Sequence, residues 1–454
     1  MDTESPERRL RPLLIAKLCN PDWVSVPLEG WFHSRAISAL TDAHLVTHVS
    51  NRDNIVKAGL VEGVDFTAID TERAEARVEK LTPMFGAGYG SGRGWTTRTA
   101  LSTLSYYSFE RLVWRRFGER IQSGAFDVVH RLTPLSPTTP SPIARRCAQA
   151  GVPFVLGPLN GGLPWPPGFG RVRIREREWL SWVRGMHRLV PGYGATRQHA
   201  TALVMGSRAS LEELDTASAA KAVYVPENGI DAARFDTPAS EPASLPLRVA
   251  FVGRLVPYKG ADILIEAAAP LARAGRVLIE VMGDGPEMST LRERARHEGV
   301  ASLVDFAGWV DHRRLKERLR RCHVLGFPSV REFGGAVVLE AMALGIVPIV
   351  MDYGGPGELV SPATGFALPM ASRAEIVAAL RATLKRMTED PSQIRPMGDR
   401  ARLRALGLFT WPAKAAQLLE VYRWVLGRRG RPDFGMPLPD PAGSPALTAT
   451  GARS

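Results

Sequence analysis

The chain has 454 residues, too many for one hydrophobic core and enough for two domains of roughly 200 residues each. At 45% hydrophobic and 23% charged its composition is that of a globular protein, and a net charge of +12 (58 basic against 46 acidic side chains) favours anionic partners such as nucleotide phosphates, lipid head groups or nucleic acid. Cys19, Cys147 and Cys322 are isolated, which excludes a disulfide scaffold or a CxxC metal site and points to a reducing cytoplasm. Lys17 interrupts the apolar run Leu13 to Leu18, so the start does not read as a secretory signal, and no run of about 18 apolar residues is present for a spanning helix.

In chain order, residues 1–11 read as a charged arm and Leu13–Cys19 as the first strand, ended by Asn20-Pro21-Asp22. An amphipathic helix is expected from near Phe32, with His33 either touching substrate or satisfied by its helix neighbours. Strands follow at Ala43–Val49 and Asp65–Ile69, then a solvated helix over TERAEARVEK. The glycine-rich FGAGYGSGRG at 85–94 lacks the G-K-[ST] of a phosphate cradle and reads as a flexible loop. An aromatic, arginine-rich helix is expected over 98–121. Phe126–Arg131 predicts a strand with His130 at its carboxyl end, a place that faces the ligand edge of an open α/β sheet; a histidine there is either structural or functional. Phe154–Gly157 is a further strand, followed by the stiff loop GPLNGGLPWPPGF at 157–169, a wall for an acceptor.

Residues 171–190 set Trp179 and Trp182 among arginines. They form either a basic amphipathic helix for an anionic membrane surface or a solvated helix whose tryptophans pack inward. The charge is spread along the chain with no nucleic-acid motif, so nucleic acid is not expected as a partner. Strands at Ala202–Met205 and Ala222–Val225 precede TPASEPASLP at 237–246, a proline- and serine-rich linker.

Leu247–Val252 reads as a strand that delivers Gly253, Arg254 and Lys259 to the ligand edge of a second sheet. The two cations are either partners of a diphosphate, Arg254 as a fork and Lys259 as a point charge, or plain surface charges. Val277–Met282 leads into Gly283-Asp284-Gly285, and Val304–Phe306 into Gly308-Trp309-Val310. The strands Val324–Phe327 and Ile346–Met351 then enclose REFGGAVVLEAMALG at 331–345, a loop running into a buried helix. Gly334-Gly335 lets a ligand approach the backbone, and the amides of Gly335, Ala336 and Val337 are donors suited to a phosphate at a helix N-terminus. Glu332 falls on the loop and Glu340 a turn and a half into the helix. One carboxylate can reach sugar hydroxyls and the other a ribose diol; the alternative is a loop glutamate beside a helix glutamate in an ion pair. Residues 372–405 and Trp411–Leu426 read as helical, and the chain from Arg428 as disordered.

The Glu332 to Glu340 stretch resembles the E-x7-E signature of the family 4 retaining glycosyltransferases. GRLVPYKG at 253–260, MGDGPE at 282–287, FAGWV at 306–310, FPS at 327–329, DYGGPGELV at 352–360 and TGFALP at 364–369 fit the same family in order and spacing. The resemblance covers about 190–370 well and the N-terminal half loosely. One departure stands out: the family's E-x-F-G has its aromatic third, whereas here Phe333 is second and two glycines follow, which leaves the backbone donors and alters the sugar pocket.

The resemblance implies an α/β GT-B fold, two Rossmann-like domains facing each other across a cleft. It divides the chain into an arm at 1–11, an acceptor-side domain at 12–236, a linker at 237–246 and a nucleotide-sugar domain at 247–410, then a helix at 411–427 crossing back and a tail at 428–454. It implies a nucleotide-diphosphate sugar as donor, its base near Gly308 to Val310, its ribose on Glu340 and its diphosphate on Arg254, Lys259 and the amides of Gly335 to Val337. Glu332 and Phe333 would then meet the donor sugar, His130 would stand beside it, and Gly30 would lie on the loop that closes over the phosphate. The acceptor would be a glycan or a lipid-linked glycan, in surface polysaccharide or glycolipid assembly, in the cytoplasm or on the inner face of the cell membrane. No residue spells a covalent nucleophile, and no DxD or His/Asp cluster calls for a metal, so no cofactor is expected beyond the donor and the two cations carry the leaving group's charge. A sugar-nucleotide epimerase or hydrolase on this fold, and a non-catalytic membrane-associated partner, remain as alternatives.

Overall fold

The computed structural model describes residues 8–71, 95–170, 172, 190–239 and 243–441. The helix expected over TERAEARVEK, the glycine-rich 85–94 loop, nearly all of the basic 171–190 stretch and the end of the expected tail lie outside them. The chain divides into two compact units. One comprises Met1–Gly162, Arg177–Glu227 and Trp411–Phe434; the other comprises Leu163–Glu176, Asn228–Thr410 and Gly435–Ser454.

The first unit carries seven parallel strands: β1 (Pro12–Ala16), β2 (His44–His48), β3 (Phe66–Ile69), β4 (Val128–Thr133), β5 (Phe154–Leu159), β6 (Ala202–Met205) and β7 (Ala222–Tyr224). Their order is β3-β2-β1-β4-β5-β6-β7. Alternation along β1 sends Leu13 and Ile15 to one core and Leu14 and Ala16 to the other, so both faces are covered and the strand reads as an unbroken apolar run. Tyr106, Phe109, Val113 and Phe117 of the Trp95–Gln122 helix close the first face. Leu418, Val421 and Tyr422 of the Trp411–Val425 helix close the second. That helix follows the second unit in sequence, yet its apolar side belongs to the first unit's core.

Six parallel strands form the second unit's sheet: β8 (Leu247–Val252), β9 (Val277–Met282), β10 (Val304–Gly308), β11 (Val324–Phe327), β12 (Val347–Met351) and β13 (Phe366–Leu368). Their order is β10-β9-β8-β11-β12-β13. The winding reverses between β8 and β11, and such a switch point is where the carboxyl edge of an open α/β sheet takes its ligand.

Three expectations are corrected by this unit. Residues 228–236 leave the first domain, because Ile230 donates its amide to the Phe409 carbonyl at 2.8 Å and pairs as a β-bridge with Thr410. Residues 163–169, expected as an acceptor-side wall, group with the second unit as well. The expected disordered tail is placed as far as residue 441. Arg404, fully buried, donates to the Leu438 carbonyl at 2.7 Å and meets Asp440 at 2.7 Å, which gives this polar segment an anchor its composition does not advertise.

Candidate functional site

The loops after β8 and β11 bring Lys259 and Glu332 together. Lys259 ends the 3-10 turn Pro257–Lys259, and Gly260 then adopts a left-handed φ of 77° at a place where a Cβ would collide with the Pro328 carbonyl. The Val330 amide and the Ser329 hydroxyl both donate to the Tyr258 carbonyl, at 2.9 and 3.2 Å, and so stitch the two loops together. Across the stitch the Lys259 ammonium forms an ion pair with the Glu332 carboxylate, each side chain 17% exposed. Burial lowers the Lys259 pKa to about 8.

Beyond Glu332, Gly335 takes φ 78° and caps the Ala336–Ala343 helix. The loop holding Gly334 and Gly335 is braced by the one after β12: the Gly355 amide donates to the Phe333 carbonyl at 3.1 Å, and a Cβ on Gly354 or Gly355 would overlap the carbonyls of Glu332 and Phe333. The amides of Ala336 and Val337 open the first turn of this helix, whose orphan donors and positive end suit an anion. Glu340 is half-buried one turn on. Burial pushes its carboxyl up to about 7, and Arg234 pulls the other way.

Along the same edge the ends of β8, β9 and β10 are laced backbone to backbone. Gly253 donates to Met282 at 3.0 Å and Gly283 to Gly308 at 2.8 Å, while a Cβ on Gly283 would strike the Gly253 carbonyl. The Gly283-Asp284-Gly285 turn therefore owes its glycines to close loop packing. Arg254 stands exposed just past Gly253; Gly308 and Val310 are half-buried, and Trp309 between them is 74% exposed.

Two candidates lie elsewhere. His130 is in the middle of β4, not at its end, because the strand runs on to Thr133. Its even register turns it onto the face covered by the Trp411–Val425 helix, where it is fully buried. Nε2 donates to the Gly157 carbonyl at 2.7 Å, which leaves Nδ1 to accept from the Tyr422 hydroxyl at 2.6 Å. Burial lowers its pKa to about 3, so it sits as a neutral histidine within the core and not at the exposed end of the strand. Gly30 is inside the Val26–Leu40 helix, which begins earlier than Phe32, and not on a phosphate loop; a Cβ there would overlap the Leu18 carbonyl just past β1. His33 is buried too, with Nε2 donating to the Glu227 carbonyl at 3.0 Å.

Further side chains pack around these loops. The Arg331 guanidinium lies 4.8 Å from the Trp165 ring and 5.4 Å from the Phe333 ring, and its Nε donates to the Leu163 carbonyl at 3.3 Å. Tyr353 donates to the Pro164 carbonyl at 2.6 Å, and Trp165 meets Tyr258 edge-on at 6.3 Å. Tyr258, Arg331, Phe333 and Tyr353 fall within the stretches 253–260, 331–345 and 352–360, whereas Trp165 is signalled only by the stiff loop at 157–169. Among the described residues there is no group of three His, Cys, Asp or Glu side chains that can hold a metal ion, and no helix long and apolar enough to cross a membrane.

Residues 235–402 match the family model described as glycosyl transferases group 1. The glycogen synthase of Mycobacterium tuberculosis (strain H37Rv) is 32% identical over 210 residues, 46% of this chain and 49% of that protein. The D-inositol 3-phosphate glycosyltransferase of Nocardia farcinica is 35% identical over 212 residues, 44% of this chain and 46% of that protein. The chain thus spans about half the length of the curated relatives it matches. Among solved structures, HepE of Anabaena in complex with UDP is similar in fold, with a TM-score of 0.57 at 17% identity over 90% of this chain and 98% of that one. The two-unit α/β architecture is the GT-B fold.

Proposed function

We propose that the protein is a retaining glycosyltransferase of the family 4, E-x7-E type, which takes a nucleotide-diphosphate sugar as donor and a glycan or lipid-linked glycan as acceptor. The observation that carries this reading is the junction of Lys259, Glu332 and the Ala336–Ala343 helix N-terminus at the switch point of the second sheet. A cation, a carboxylate and a helix N-terminus along one sheet edge suit a diphosphate joined to a polyhydroxyl ring. Arg254, exposed at the same edge, adds the second cation.

In this reading the acceptor hydroxyl attacks the anomeric carbon on the face the diphosphate leaves. The new C–O bond forms as the C–O bond to phosphate breaks, and the departing phosphate takes the acceptor's proton. Arg254, Lys259 and the amides of Ala336 and Val337 stabilise the charge that builds on that phosphate. Glu332 orients the sugar and Glu340 the ribose, with the backbone of Gly308 to Val310 along the base. The names of the relatives span glycogen and an inositol phosphate, both polyhydroxyl compounds, which supports a glycan or lipid-linked glycan as acceptor, in surface polysaccharide or glycolipid assembly at the cytoplasmic side of a membrane.

The test is a thermal-shift panel of UDP, GDP, ADP and their common sugars on the wild type and on Arg254→Ala. UDP heads the panel because HepE, of the same fold, is solved with it. A ligand that binds only the folded state raises the midpoint by mass action. Stabilisation by one nucleotide class that is lost in Arg254→Ala supports the donor site and identifies the base. A flat panel with folded protein removes the reading.

A further inference from the structure

Trp165 follows the last strand it could have paired with by six residues, yet it belongs to the second unit and not to the sheet that precedes it. Three prolines, Pro164, Pro166 and Pro167, fix φ around it and leave the segment stiff. Leu163 and Phe169 are buried at its two ends, 2% and 4% exposed, so the segment is pinned like a strap, with Trp165 half-buried at its centre.

Two contacts of the indole fall beside the Lys259–Glu332 pair. Tyr258, which meets Trp165 edge-on at 6.3 Å, immediately precedes Lys259. Arg331, whose guanidinium lies 4.8 Å from the Trp165 ring, immediately precedes Glu332. The indole thus spans both loops one residue away from each member of the pair. The strap is tied to the third loop of the site through Tyr353, and the Leu163 side chain packs on Gly354 of that loop.

We propose that Trp165 is the aromatic wall of the donor-sugar subsite and a determinant of its specificity, with the Lys259–Glu332 pair as the polar floor. An indole face accepts the apolar C–H face of a pyranose, while the Glu332 carboxylate beside it takes hydroxyls on the ring's rim and Lys259 holds the adjoining phosphate. Phe333, set one position nearer to Glu332 than in the family's spelling, lies 5.4 Å from the same guanidinium that meets Trp165. This rests on the donor reading above.

The experiment compares full-length wild type, Trp165→Ala and Trp165→Phe by calorimetric titration. The probes are UDP and GDP alone, and UDP-glucose, UDP-galactose, UDP-N-acetylglucosamine and GDP-mannose. The wild type should bind one sugar nucleotide more tightly than its bare nucleoside diphosphate. Trp165→Ala should lose about tenfold or more in affinity for the sugar nucleotide, as removal of an aromatic anchor does, with affinity for the bare diphosphate held within about twofold. Trp165→Phe should recover part of the loss. Unchanged diphosphate binding in Trp165→Ala also reports that the loops remain folded. If both ligands weaken equally, Trp165 is a structural wedge and the proposal fails; if neither weakens, it fails as well. If the wild type binds neither UDP nor GDP nor any of the sugars, the donor reading falls first and this inference with it.

Discussion

Lys259 and Glu332 sit on loops from neighbouring strands, 73 positions apart in sequence, and meet as a mostly buried ion pair. Each is assigned a different part of the donor, so the pair competes with its ligand: a diphosphate must draw Lys259 away from a partner already in place. At an effective dielectric near 20, a charge pair about 4 Å apart is worth roughly 4 kcal/mol before desolvation is subtracted. Glu332→Gln should therefore tighten binding of the bare nucleoside diphosphate by several-fold while nucleotide-sugar turnover falls by about a hundredfold or more. Lys259→Ala should weaken both, because it leaves the carboxylate facing the phosphates. Titration calorimetry with UDP and GDP, alongside initial rates, separates the two. Weaker diphosphate binding in Glu332→Gln would show that the pair positions Lys259 and does not hold it back.

Glu340 makes the site sensitive to pH near neutrality. Its folded pKa, about 7, is raised from the ordinary 4.5 by burial. A carboxyl raised in this way favours the folded state fully below about 4.5, and that contribution is lost as pH rises through 7. The ligand-free wild type should accordingly lose stability between pH 5 and pH 8 relative to Glu340→Gln, by roughly 1–3 kcal/mol after allowance for its partial exposure. Nucleotide binding should run the opposite way if the ionised carboxylate accepts from the ribose diol, rising through pH 7 in the wild type and staying flat in Glu340→Gln. Parallel urea titrations and binding isotherms at pH 5.5 and 8.0 check both signs.

Much of the second sheet was legible because parallel strands buried on both faces are plain apolar runs. Leu247–Val252, Val277–Met282 and Val324–Phe327 begin and end where the residue pattern puts them. Ala202–Met205 in the first sheet does so too. Glu332, Lys259 and the Gly334-Gly335 turn were legible for a different reason, since glycine at a loop–helix junction and charge at a strand end are local features. His130 was not, because its strand runs two residues past Arg131, and the residue that claims Nδ1, Tyr422, is 292 positions away. Trp165 and Arg331 were invisible as partners for the same reason, 166 positions lying between them. Helix starts were the other weakness: Pro27 in the first turn marked a helix beginning at Val26, six residues before Phe32.

His130 offers a direct contrast between a core and a catalytic histidine. His130→Ala empties a fully buried site and strips partners from the Gly157 carbonyl and the Tyr422 hydroxyl. The expected cost is about 2–4 kcal/mol, from the cavity and the unmet polar groups together. Activity measured at a temperature where the variant is still folded should fall by less than about tenfold, without a changed pH profile. A loss of several thousandfold in well-folded protein would return His130 to the reaction.

Gly30→Ala decides between a packing glycine and a ligand-binding one. Within a helix the exchange alone should stabilise by about 1 kcal/mol, since alanine is the better helix former. Here the added methyl would overlap the Leu18 carbonyl oxygen and press on the Thr133 methyl. A backbone oxygen just past β1 cannot turn aside as a flexible side chain would, so the Val26–Leu40 helix must lift away from the ends of β1 and β4. Overpacking of this kind outweighs the propensity gain, and a net loss of about 1–3 kcal/mol is expected in chemical denaturation. Affinity for UDP or GDP in the folded fraction should be unchanged, because the residues proposed to hold the donor all belong to the other unit. A variant of normal stability with weakened nucleotide binding would instead place Gly30 against a phosphate, as a loop glycine.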